Sequence, residues 1–217
     1  GGIVRRIEWE DNNPDAFDFS GDATGWGLSL SSNIKIQKDV IRLQGVYGEG
    51  IQNYMNDAPV DIGIQNNFSD PVSPIIGVAL PMWSMVAFYD RTWSGKFTSS
   101  FGYSHLNIDN SDGQSADAYH AGSYVAANLI YYPVPNVLAG IEDIWGQREN
   151  SDGQSANAFH SGTYIAGNLI YYPVPNVLAG IEYTYGQRKN FADDWSYNDN
   201  RVAVSFKYSF KQTFGGN

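Results

Sequence analysis

Seven charged side chains, Arg42, Glu142, Arg148, Glu182, Arg188, Arg201 and Lys207, stand in or beside short segments in which polar and apolar residues alternate. Alternation with period two places every second side chain on one face of an extended chain. If that face meets water, the five cations form a basic ladder with Glu142 and Glu182 as its acidic counterpart. Rings of charge of this kind decide which solutes a pore admits, and here the expected effect is attraction of anions. The same residues could instead pair, Arg with Glu, and fill a narrow interior. The sequence leaves both arrangements open.

Catalytic chemistry finds little to work with. The chain contains no cysteine, which removes disulfides, thiolate chemistry and most zinc sites. GxSxG, HExxH, P-loop and GxGxxG motifs are absent, and no carboxylate pair stands out by acid/base placement. A hydrolase would need Ser and His on adjoining strands, whereas Ser104 and His105 are consecutive and point to opposite faces. His120 and His160 read as loop residues, and DNSDG at Asp109–Gly113 lacks the ligand spacing and closing Glu of a calcium loop. No catalytic residue, metal ligand or cofactor is expected, and the chain is read as not an enzyme.

The elements that would position the charged residues are strands. The 15 Tyr, 11 Phe and 6 Trp fall largely at alternate positions of short segments, which argues for strand over helix. Ten strands are expected, at about Ile3–Glu10, Thr24–Gln37, Val40–Gly50, Met82–Arg91, Phe97–Ile108, Ser123–Tyr132, Val137–Gln147, Thr163–Tyr172, Val177–Gln187 and Arg201–Phe210. Long polar connections alternate with short turns, the pattern of an up-and-down barrel with long outer loops and short periplasmic turns. In the last strand Val202, Val204, Phe206, Tyr208 and Phe210 oppose Arg201, Ala203, Ser205, Lys207 and Ser209. A half-buried soluble sheet alternates in the same way. The Gly, Ser, Asn and spaced Arg/Lys on the polar phase favour a wet lumen.

Charge and hydropathy narrow the partners. With 13 Lys+Arg against 23 Asp+Glu and a net charge of −10, the chain has no basic stripe for nucleic acid. Mean hydropathy of −0.35 excludes a helical membrane protein but not a barrel, in which only alternate residues meet lipid. Tyr131, Tyr132, Tyr171 and Tyr172 precede the turns, and Trp26, Trp145 and Tyr185 sit toward the opposite strand ends, the two levels of an aromatic girdle. Asp143 shares a phase with Val137, Ala139, Ile141 and Trp145 and is read as marking the outer rim of the apolar band, a protein–protein contact or a local bulge, the rim being favoured. The acid-rich long connections (Asp11, Asp15, Asp18, Asp22, Asp193, Asp194) are read as solvated or as binding divalent cations at a lipopolysaccharide surface.

Residues 111–150 recur as 151–190 with ten differences in forty positions, including the run NLIYYPVPNVLAGIE in both copies. Two copies are too few for a solenoid. Each reads as one hairpin with its loop, the smallest unit an antiparallel meander can gain without changing strand direction or parity. The chain is expected to be a single domain over 1–217 with this internal duplication.

RRIEWEDNNPDAFDFSGDATGW (Arg5–Trp26), LQGVYGEGIQNYMNDAP (Leu43–Pro59) and RVAVSFKYSF (Arg201–Phe210) together resemble the C-terminal half of DcaP-type trimeric outer-membrane porins of Gram-negative bacteria. The resemblance implies an outer-membrane location and passive uptake of small, often anionic, solutes. Phe206, Tyr208 and Phe210 resemble the C-terminal signal by which barrels are handed to the barrel assembly machinery. That family also carries an N-terminal coiled coil and further strands with no counterpart in this sequence, so oligomeric state is left open. The resulting reading is an all-β, antiparallel transmembrane barrel of about 10 strands, at most a narrow passive channel, with the bilayer, lipopolysaccharide and small solutes as partners. The alternatives are a closed or engineered structural barrel without transport and a soluble β-sheet binding protein.

Overall fold

A computed structural model describes residues 1–13, 17–55, 58–153, 158–191 and 195–210. Asp15, Asp193 and Asp194, named above among the loop acids, lie outside them. The strands are β1 (Gly2–Trp9), β2 (Gly21–Ile36), β3 (Asp39–Glu49), β4 (Ile62–Asn66), β5 (Ile75–Ala79), β6 (Pro81–Thr92), β7 (Phe97–Ile108), β8 (Tyr119–Tyr131), β9 (Val137–Asn150), β10 (Phe159–Tyr171), β11 (Val177–Asn190) and β12 (Ser196–Tyr208). Ten of them form one antiparallel sheet in the order β1-β2-β3-β6-β7-β8-β9-β10-β11-β12, and β4 and β5 pair separately.

All ten expected strands are present, and several run further toward the long connections. β9 and β11 end at Asn150 and Asn190 because pairing continues through the polar residues that follow Gln147 and Gln187. Phe210, expected inside the last strand, lies beyond its end at Tyr208. The β4–β5 hairpin was not expected. Its strands have five residues each, with Gly63 and Gly77 interrupting the apolar runs, too short a pattern for alternation to register. At the short-turn end Asn176 takes φ 68, a left-handed conformation that Asn tolerates better than most residues.

Among the described residues the first and last strands are not paired with each other, so closure of the expected ring is not shown. β1 and β12 each have a neighbour on one side only. β1 begins opposite Leu28, so among the described residues the Leu30–Ile36 stretch of β2 has β3 beside it and no strand paired on its outer side. Alternation dictates which way side chains point but not what the last edge meets. A ring of eight strands is filled by its own side chains, and ten strands add little room. Here one face of the sheet already carries residues 51–55 and 58–80.

That segment is where the core lies. Val46, Met82 and Ile108, on β3, β6 and β7, are buried against Ile51 and Leu80, with Ile3 packed alongside. The chain enters the segment through Gly50, at φ 60, where a Cβ would stand 3.1 Å from Ile7 Cδ1. Gln52, fully buried, donates from Nε2 to the Leu80 carbonyl at 2.9 Å and so joins the two ends of the segment.

Candidate functional site

The register separates the sheet into two chemically different faces. Cross-strand partners follow one another as Val40, Asp90, Ser100, Asn128, Glu142, Ala166, Thr184 and Arg201, a row running across β3, β6, β7, β8, β9, β10, β11 and β12. By strand parity from this row, Arg42, Arg148, Glu182, Arg188 and Lys207 share its face. All seven charged residues singled out above therefore lie on one polar face, the face that also carries Ile51–Leu80.

The opposite face is apolar and bare. It includes Val4, Leu28, Leu30, Leu43, Val125, Leu129, Ile141, Ile181, Val202, Val204 and Phe206, all exposed, with Val204 at 79%. Trp26, Tyr131, Trp145, Tyr171, Tyr185 and Tyr208 lie on it, while Tyr132 and Tyr172 stand just past the ends of β8 and β10. Soluble monomers rarely expose contiguous apolar patches larger than a few hundred Å².

The polar face is ordered by specific contacts. Arg42 Nε donates to Asp90 Oδ2 at 2.6 Å, Ser100 Oγ donates to Asp90 Oδ1 at 2.6 Å, and the Ser100 amide donates to Asn128 Oδ1 at 2.9 Å. Arg148 and Arg188 turn toward the loops. Arg148 donates to Asn150 Oδ1 at 2.8 Å and the Asp117 carbonyl at 3.0 Å, above the Tyr119 ring; Arg188 donates to Asn190 Oδ1 at 3.0 Å, above Phe159. Each stands six residues from its glutamate, about 20 Å at ~3.4 Å per residue. Among the described residues no ion pair joins Glu142 or Glu182 to the ladder.

The structure adds residues that alternation could not single out. Arg5 of β1 directs Nη1 at Asp61 Oδ2 (3.0 Å), Asn53 Oδ1 (2.6 Å) and the Gly50 carbonyl (3.4 Å), with Tyr54 5.5 Å from the guanidinium. Asp61 Oδ1 accepts the Asn53 amide at 2.9 Å. The available sequence signal was charge: residues 51–80 contain three Asp and no Lys or Arg. The β4–β5 hairpin is held from elsewhere too. Ser111 Oγ and the Gly113 amide donate to the Ile64 carbonyl at 2.6 and 3.0 Å, the Asn66 amide donates to Asp112 Oδ1 at 2.9 Å, and Ser73 Oγ donates to the Asp18 carbonyl at 3.0 Å.

Two details on the apolar face bear on chemistry. Folding places a Ser–His pair on adjoining strands after all, His105 Nδ1 lying 2.8 Å from Ser123 Oγ, with the ring tilted on Trp83. Among the described residues no acid or amide is bonded to its other nitrogen, so the pair lacks the orienting group of a nucleophilic triad. Asp143 lies between Ala127 and Ile165, in a row that continues through Tyr185 to Asn200. The next row toward the loops holds Trp145, Thr163, Gln187 and Asn198, so Asp143 borders the polar end of the apolar band.

The fold is similar to that of a solved outer-membrane channel. The chain is similar to the outer membrane channel DcaP of Acinetobacter baumannii, with 19% identity and a TM-score of 0.53 over 95% of this chain. It spans 62% of the DcaP chain. It is also similar to the CymD monoaromatic hydrocarbon channel, at 15% identity and a TM-score of 0.48, over 97% of this chain and 56% of that one. No family model and no curated protein matches the sequence.

Proposed function

We propose that the chain forms wall of a bacterial outer-membrane channel, its apolar face against lipid and its polar face lining a water-filled path for ions or small solutes. The observation that carries this reading is the segregation of the faces. Exposed aliphatic and aromatic side chains dominate one side of the ten strands, where the charged residues Arg6, Glu8, Asp22, Asp39 and Arg91 stand toward strand ends, and the seven charged residues of the ladder share the other side. In hydrocarbon every main-chain polar group needs a partner, so the free edges of β1 and β12 are closed by strand pairing in the membrane. The charge lining the path is mixed: Asp90 neutralises Arg42, and Arg201 and Lys207 stand opposite in sign to Glu142 and Glu182. Permeation is therefore governed as much by the space left beside segment 51–80 as by sign.

Refolded protein in a planar bilayer tests the reading. Discrete current steps at low applied voltage are expected. A folded, bilayer-inserted protein that passes no current would leave a structural barrel, and a chain folded and monomeric in detergent-free buffer would remove the membrane reading.

A further inference from the structure

The pair Arg5–Asp61 is the least exposed of the five ion pairs among the described residues, its side chains 21% and 15% accessible. It joins the outermost strand of the sheet to a segment whose only charges are acidic. The guanidinium is held by a carboxylate, a side-chain amide, a carbonyl and an aromatic ring, all from Gly50 to Asp61. Beside it, Trp9 of the same strand lies where a Cβ on Gly77 would stand, 2.4 Å from its ring. β1 thus grips both limbs of the segment, one through charge and one through shape.

We infer that Arg5 is a positioning residue for permeation: it latches residues 51–55 and 58–80 onto the polar face and thereby sets the opening beside them. The inference rests on the channel reading for its consequence but not for its geometry. Without the cation, Asp61 and Asn53 lose a shared donor at a half-buried position, and the segment is left to its hydrogen bonds to the Asp18 and Ser111–Gly113 stretches, those from the Gly50 amide to the Leu80 carbonyl and from Ser84 Oγ to Met55 Sδ, and its apolar contacts. A lid whose opening free energy falls exposes its amides more often.

The test uses full-length protein refolded in detergent and three variants: Arg5→Gln, Asp61→Asn and the exchange Arg5→Asp with Asp61→Arg. Hydrogen exchange of amides in 51–55, 62–66 and 75–80 is expected to quicken about tenfold in each single variant. The exchanged pair is expected to restore slow exchange, which a general loss of folding would not allow. Single-channel conductance, and the largest neutral polymer that enters, are expected to rise with the single variants and return with the exchanged pair. Unchanged exchange in both single variants overturns the latch; quickened exchange with unaltered conductance overturns its role in the opening. Absence of current from the wild type removes the channel reading instead, and the latch then stands or falls on exchange alone.

Discussion

Asp143 and Tyr183 occupy equivalent positions of the duplicated hairpin, one an acid and one an aromatic, on the same apolar face. Most differences between the copies, at 121, 123, 125, 127, 143, 145 and 149, fall on that face, whereas the polar-face residues Asn128, Glu142 and Arg148 recur unchanged as Asn168, Glu182 and Arg188. A surface that meets lipid accepts many apolar shapes; one that lines a path does not. Asp143→Tyr should therefore raise stability, by up to about 1 kcal/mol at this border position, and leave conductance unaltered. Val204→Arg, at the middle of the apolar face, should cost about 2–4 kcal/mol, against under about 0.5 for its polar-face neighbour Ser205→Arg. Urea unfolding from lipid vesicles measures all three, and equal costs for the last two would undo the assignment of faces.

Hairpins are the units of this sheet, and the duplicated one is an experiment already done. Asn128 faces Glu142 across β8 and β9 as Asn168 faces Glu182 across β10 and β11. Because a hairpin restores strand direction, deletion of 111–150 should leave a folded eight-stranded sheet with unchanged β-type circular dichroism. Deletion of a single strand, which reverses every later one, should not fold. The turn residue Asn176 should accept glycine at no cost and lose about 1 kcal/mol as Asn176→Val, since its φ of 68 suits a branched side chain poorly.

At the scale of the whole molecule the free edges dominate. On reconstitution into lipid, the amides of Val202–Tyr208 that point away from β11 should exchange as slowly as those that pair with it. Rapid exchange confined to them would mean that the edge stays open in the membrane. The sequence by itself determined the ten strands, their direction and the shared face of the seven charged residues singled out from it, because period-two alternation is a local property that each strand carries whole. It determined the hairpin duplication for the same reason. It could not show that 51–80 folds onto the polar face, that Arg5 holds it, or that His105 meets Ser123, since those contacts join residues far apart whose types are unremarkable alone. Nor could it decide closure: pairing of the first and last edges joins residues at opposite ends of the chain, a relation that alternation within each strand does not carry.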